Sequence, residues 1–514
     1  MIVEKNLFGL DIDNRASQLA YFAVMMKAVS YDKRFLARNI NPNLYAIDES
    51  NRIKDYLECD ISKDKHMNDI SNYLADIFQN AKETGSAIIA ESKDFDEYIN
   101  YLDNLETANE PTVLDIQWLN TTRLKLKEFA SLAKILSQKY TVVCTNPPYL
   151  NKFEGNLKTF VTKNYKDYSG DLFSVFMYRN LISCKTGGYC GFMTPFVWMF
   201  IKTYEKLRDY ILHDKSIATL VQMEYSAFEE ATVPICSFVL KNDKPTENGL
   251  YFKLSDFKGG MEVQKQKVLE AIADKKCGYF YEADQSNFSK IPGYPVAYWV
   301  SKQIFRAFIE AIPMAELSNI KVGLQTGNND KFLRLWFEVS NCMVTFESND
   351  GKNIKWCPHN KAGEFRKWYG NKEYLVNWEN EGKSIKTCSG ARPQNTGYYF
   401  RKGYSWSDIS SGAMSVRYWG DGCIFDTCAP TIFPNNNKMG TNLIALLNSK
   451  IGQIVMDIMS PTIHYTAGAM AKFPVWEMAI TTSMDNVVLN CIDCSKNDWN
   501  SYETSWDFKR NPLL

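Results

Sequence analysis

Tyr140-Thr141-Val142-Val143-Cys144-Thr145-Asn146-Pro147-Pro148-Tyr149 is the stretch on which the reading of this chain turns. The β-branched run Tyr140 to Cys144 predicts a buried strand, and it must stop at Asn146-Pro147-Pro148 because proline has no N–H to donate to a ladder. A polar and aromatic tetrapeptide is therefore placed just beyond a strand end. Downstream, Asp171 opens a helix with an acid in its first turn, and Gly187-Gly188 is expected to end it before a strand over Tyr189 to Thr194. A helix from about Lys202 to Leu212 and strands over Ile217 to Met223 and Ile235 to Leu240 continue the alternation. That rhythm is the pattern of a doubly wound α/β sheet.

Upstream, Leu7 to Asp13 reads as a short strand ending in acids, followed by an apolar helix from Arg15 to about Val29. The stretch from Ile53 to Gln138 alternates helical pattern with polar turns such as Asn104 to Pro111, and is expected to be an insertion around a poorly marked strand. Lys241 to Gly249 is polar and rich in breakers, a candidate turn or domain edge. From about Ile291 onward Trp, Tyr, Asn and Gly accumulate over short irregular strands, which predicts a separate α+β module.

A chain of 514 residues exceeds one ordinary core, and a composition 45% hydrophobic and 23% charged is globular. Lys+Arg and Asp+Glu both number 59, so no global field draws the protein to nucleic acid or to an acidic membrane, and DNA binding must rest on local patches. Thirteen scattered cysteines point to reduced thiols in a cytoplasm. The one tight pair, Cys491 and Cys494, lacks a second pair or histidine at ligand spacing, so no metal is expected. The N-terminus lacks a basic and apolar leader, and no apolar run reaches the roughly eighteen residues of a membrane helix.

Asn146 to Tyr149 carries a specific chemistry. The lone pair of an exocyclic adenine amine is delocalised into its ring, and two hydrogen-bond acceptors on its N–H groups localise it. The side-chain oxygen of Asn146 and the carbonyl of Pro147 supply those acceptors on a backbone stiffened by proline, and Tyr149 offers a stacking face to a base turned out of a duplex. An ordinary tight turn is the competing reading.

Asn6 to Lys27, Asn146 to Tyr149, Asp171 to Trp198 and Ala227 to Leu240 stand in the order and spacing of adenine amino-methyltransferases of the gamma type. Within that class the chain resembles the PglX adenine methyltransferases of phage-exclusion (BREX) systems, and further resembles the methylating halves of type II restriction enzymes. The resemblance implies a Rossmann-like class I methyltransferase sheet followed by an α+β target-recognition domain, bounded here as residues 1–250, a connector 251–290, and 291–514. It implies S-adenosylmethionine as methyl donor, without a metal, and double-stranded DNA as substrate. Asp11 falls where the family's acid holds the donor's ribose, with Asp13 beside it; both acids could instead cap the following helix. Phe228 falls where an aromatic packs on the flipped base opposite Tyr149, although core packing is the ordinary role of such a residue. Gly323 to Phe332 resembles the opening of the recognition domain, where Gln325, Asn328 and Asn329 can read base edges and Lys331 can hold a phosphate. Arg366 and Lys367 belong to a basic and aromatic interleaving that continues through Lys361, Trp368, Tyr369, Arg392, Arg401, Lys402 and Tyr404, which a solvated surface would also show. The Gly-rich loop and first strand of the family are not found, which implies a central strand supplied by a separate N-terminal segment. Defence-system proteins are implied as further partners, and a non-catalytic DNA- or partner-binding remnant is the alternative.

Overall fold

In the computed structural model, helix α1 (Ile2–Lys5) leads into strand β1 (Phe8–Asp11), and Asp13 then caps helix α2 (Asn14–Tyr31) by accepting the N–H of Arg15. β2 (Asn43–Ala46) pairs with β1 in parallel, Phe8 opposite Asn43 and Asp11 opposite Ala46. β2, which precedes the stretch from Ile53 to Gln138, is thus the strand that the sequence left poorly marked. Among its described residues that stretch is helical: α3 (Lys65–Ile77), α4 (Ala81–Thr84), α5 (Phe95–Asp103), α6 (Val113–Asn120) and α7 (Thr122–Ser137). Leu74, Phe78, Tyr98, Leu126 and Phe129 form their common core, with Phe78 and Phe129 stacked at 4.9 Å. The described residues are 2–51, 53, 64–105, 112–225, 233–345, 355–410, 413–436, 439–460, 464–481 and 484–511.

β3 (Tyr140–Thr145) stops at the prolines as its sequence requires. α8 (Gly155–Asn164) follows, then α9 (Leu172–Ser183), then β4 (Cys184–Pro195), α10 (Glu205–Asp214), β5 (Ser216–Gln222), β6 (Ile235–Lys241), β7 (Gly249–Lys253), α11 (Gly260–Ala273) and β8 (Phe280–Ala283). α9 ends at Ser183, earlier than the double glycine. Gly187, at φ +76, instead lies within β4, where the register against β3 slips between Tyr140 and Val142 and the Gly187 N–H reaches the Asn242 carbonyl at 3.0 Å. The six strands run in the order β3-β4-β6-β5-β7-β8. β3 and β4 are parallel, β6 is antiparallel to both of its neighbours, β7 is parallel to β5, and β8 closes the sheet antiparallel. Residues 251–290, read from sequence as a connector, therefore carry strand β8 and most of β7. The chain divides into Met1–Trp198 with Thr203–Gln285, and Met199–Lys202 with Ser286–Leu514.

β1 and β2 form a two-stranded sheet apart from the six. Between the free edges of β1 and β3 lies a slot of about 260 Å³, lined by Phe8, Gly9 and Leu10 on one side and by Val142, Val143 and Cys144 on the other. The Phe8 and Tyr140 rings meet edge-on at 5.4 Å. Val142 stands 65% exposed, an unusual fate for valine in a sheet, and Leu19, Phe22 and Met26 on α2 are exposed as well.

The second unit has two four-stranded sheets. One is ordered Ser318–Lys321, Thr431–Pro434, Gly403–Trp406, Val416–Trp419, and the other Leu333–Leu335, Tyr374–Asn377, Trp356–Asn360, Ile424–Phe425. Leu324, Phe332, Val376, Ile385, Ile424 and Phe425 pack as one core between strands and short helices.

Candidate active site

Asn146 to Tyr149 leave the end of β3 with Pro147 buried and Asn146, Pro148 and Tyr149 exposed. The Tyr149 hydroxyl lies 3.2 Å from the Asn146 side-chain oxygen and 3.3 Å from the Met193 carbonyl, either of which can accept its single proton. Burial pushes its ionisation above the ordinary tyrosine value, so the hydroxyl stays protonated and remains a donor.

What holds the tetrapeptide is α9. Asp171 caps that helix, accepting the Phe173 N–H at 3.2 Å, and its Ser174 completes the capping box. The same carboxylate oxygen accepts the N–H of Leu150 at 2.9 Å, and the Leu172 N–H is donated to the Leu150 carbonyl at 2.9 Å. One buried acid therefore fastens the residue after Tyr149 to a helix end. Burial raises the Asp171 carboxyl, and the N–H groups of Leu150 and Phe173 act against that rise. Phe173 presents its edge to the Tyr149 ring at 6.4 Å and is backed by Tyr204 at 5.2 Å. The sequence placed Asp171 in the first turn of the helix; the structure makes it the cap, and its second bond, to a residue 21 positions away, was not legible.

On the other side of the slot Asp11 and Asp13 take different parts. Asp13 is spent on α2, capping it and pairing with Arg15 at 3.2 Å; the Arg15 guanidinium and N–H hold its carboxyl below the usual range. Asp11 accepts only the Asp13 N–H, at 2.8 Å through Oδ1, among the described residues. Asp11 is exposed at the end of β1, and its Oδ2 accepts no hydrogen bond among the described residues. Phe228 lies outside the described residues.

In the second unit Gln325 is exposed and pairs with Arg392 across a two-residue ladder. Gly327, at φ +76, approaches Ala391 and Ser389 so closely that a Cβ would come within 2.7 Å of their backbones. Asn328 caps the following turn through the Lys331 N–H at 3.0 Å, and Asn329 accepts from Thr326 at 2.6 Å. The exposed Lys331 rests over the Phe332 ring. Arg366 and Lys367 do something else: Arg366 pairs with Asp498 while lying over Trp499, and the Lys367 ammonium donates to the Asn448 carbonyl at 2.6 Å. Asp426, bridged to Leu324, centres a cluster the sequence did not reveal, accepting from His359 and Lys361 at 3.1 Å each and from the Cys428 N–H at 2.9 Å. No group of three or more metal-ligating side chains exists among the described residues, and no helix among them is long and apolar enough to cross a membrane.

Residues 5–228 match the Eco57I restriction-modification methylase family. The whole chain is 34% identical over 540 residues to a protein of Lacticaseibacillus casei (strain Zhang) named adenine-specific methyltransferase PglX. It is 33% identical over 550 residues to one of Escherichia coli O9:H4 (strain HS) named adenine-specific methyltransferase BrxX. It spans 44% of the length of each of these relatives. Among solved structures, a nuclease-deletion mutant of the Type ISP restriction-modification enzyme LlaGI, in complex with a DNA substrate mimic, aligns with 97% of this chain and 45% of its own at 10% identity, with a TM-score of 0.48.

Proposed function

Along its whole length this chain is a homologue of the adenine-specific methyltransferases PglX and BrxX, and from that premise we propose that it forms the base-modifying and recognition part of a site-specific DNA methyltransferase acting on adenine N6. The observation that carries the reading is the tetrapeptide Asn146 to Tyr149, fixed at the end of β3 by Asp171 and opening beside the slot. Asn146 and the Pro147 carbonyl would accept the two N–H groups of the target amine, and Tyr149 would stack on the flipped base. S-adenosylmethionine, when bound, supplies an electrophilic methyl group; the Asp11 carboxylate would hold its ribose.

The sheet supports a finer reading. The orders β1-β2 and β3-β4-β6-β5, with β6 antiparallel, fit a Rossmann-like class I methyltransferase sheet in which one more strand stands between β1 and β3. We read the slot as that strand's place. Residues from 291 onward are read as the target-recognition domain, with Gln325, Asn328, Asn329 and Lys331 toward double-stranded DNA, and the methyl mark as part of restriction-modification or phage defence in the cytoplasm, alongside other proteins of the defence system.

Calorimetry of S-adenosylmethionine with the full chain, alone and mixed with an N-terminal segment of an intact relative, tests this. Binding in the mixture only is the expected result. Binding by the chain alone would remove the need for a further strand, and binding in neither case would favour a non-catalytic DNA-binding remnant. Asn146→Ala in the binding-competent mixture should keep donor affinity and lower kcat by at least about a hundredfold, the scale of losing one acceptor at a reacting centre.

A further inference from the structure

The segment from Ala81 to Ile88 runs between the two halves of the site just described. The Lys82 ammonium donates to the Ile12 carbonyl at 2.9 Å and to the Asn14 side-chain oxygen at 3.0 Å, closing over the turn that follows Asp11. Gly85 comes so near that a Cβ would stand 2.9 Å from Ile12 Cγ2. One residue along from Lys82, Glu83 accepts from Asn156 of α8 at 3.2 Å. Farther on, Tyr165 donates to the Ala87 carbonyl, and Arg179 to the Ile88 carbonyl at 3.0 Å. Ala87 packs with Val161 of α8, with Tyr165 just past it, and with Leu172 and Val175 of α9, the helix whose cap holds the Asn146 loop. With no ladder joining β1 to β3 among the described residues, this segment is a strut that ties the Asp11 turn to α8 and α9.

We propose that Lys82 is a positioning residue of the donor site, clamping the Ile12–Asn14 turn so that the Asp11 carboxylate is held in one direction. This rests on the methyltransferase reading above. A charge-assisted pair of hydrogen bonds from one ammonium to a turn is strong enough to matter, and arginine keeps the charge and more than one N–H donor for the same two acceptors. Removing it leaves the Asp11 side chain in place and takes away its orientation, so the cost falls on donor binding and not on the transfer step.

The test uses the full chain as Lys82→Met and Lys82→Arg. Hydrogen exchange should show the amides of residues 10–14 opening about tenfold faster in Lys82→Met, with wild-type rates returning in Lys82→Arg. In the mixture with the N-terminal segment, Lys82→Met should raise the KM for S-adenosylmethionine about tenfold at unchanged kcat. Unchanged exchange in Lys82→Met overturns the clamp, and an unchanged KM overturns its role in donor binding while leaving the methyltransferase reading intact. If wild type binds no donor in any combination, that reading falls, and the exchange result still decides whether the clamp exists.

Discussion

Asp11, Asp13 and Asp171 are acids at strand ends and helix starts, and only their partners separate their roles. Asp13 and Asp171 are both caps, but Asp171 also holds Leu150, so the two have different consequences when removed. Asp171→Ala should slow methyl transfer more than it destabilises the fold, because it frees the loop carrying Asn146; a kcat loss no greater than that of Asp13→Ala would refute this. The basic residues divide in the same way. Lys331 points to solvent, and Lys331→Ala should weaken DNA binding evenly across sequences and reduce the slope of log K against log salt by about one. Arg366 is occupied by Asp498, 132 positions away, so Arg366→Ala should leave that slope unchanged and lower stability by about 1 kcal/mol. A run of basic and aromatic residues in sequence cannot show which cations are already paired, since the pairing is set by the fold. Asp426 gives the pH dependence. Burial raises its carboxyl, but the hydrogen bond and charge of His359, the Cys428 N–H and the charge of Lys361 outweigh that and hold it well below the usual carboxylate range. Its folded value is depressed, so its stabilisation is present above the unfolded value of about 4 and is lost as pH falls through the folded one. Asp426→Ala should therefore cost about 3 kcal/mol at pH 7, with the gap to wild type closing below about pH 4; a gap independent of pH would show that the carboxylate charge is not what stabilises the cluster.

At the scale of elements, the place and end of β3 were legible, because a β-branched run ending in two prolines has no other comfortable structure, but its expected burial was not met: Thr141, Val142 and Cys144 are exposed on the open edge. β2 was not: Asn43-Leu44-Tyr45-Ala46 is four residues with no alternation, and only its pairing with β1 makes it a strand. The start of β4 escaped for a related reason, since Gly187-Gly188 reads as a terminator whereas the chain uses Gly187 to form an irregularity inside the strand. Of the two readings of Lys241 to Gly249, turn and domain edge, the turn holds, since the segment joins two strands of one sheet within one unit; composition could not choose, because a breaker-rich turn has the composition of a linker. The exposed Val142 makes the open edge of β3 testable. Val142→Lys should leave the thermal stability of the chain itself within about 0.5 kcal/mol, as for any exposed substitution, yet abolish donor binding in the mixture with the N-terminal segment. Unimpaired donor binding by that variant would mean that the slot is not where a further strand enters.

At the scale of the whole molecule, the equal counts of 59 acids and 59 bases forbid a global electrostatic drive onto DNA, so the proposed recognition must rest on local surface, which the proposal assigns to the second unit. That unit has two four-stranded sheets and a core of its own, and all of it but Met199–Lys202 is continuous from Ser286. A fragment of residues 286–514 should therefore fold cooperatively. It forfeits the hydrogen bond from the Val296 N–H to the Met199 carbonyl and the packing of Phe200 on Trp299, a cost of about 1–3 kcal/mol against the several kcal/mol by which domains of this size are stable. If recognition resides there, the fragment should retain sequence-selective DNA affinity in low salt, lose it steeply as salt rises, and be indifferent to S-adenosylmethionine, because Asp11, Lys82 and Asn146 are all absent from it. A folded fragment with no DNA affinity at low salt would take recognition away from the second unit alone, and a fragment that fails to melt cooperatively would mean that the second unit needs Met199–Lys202 for its core.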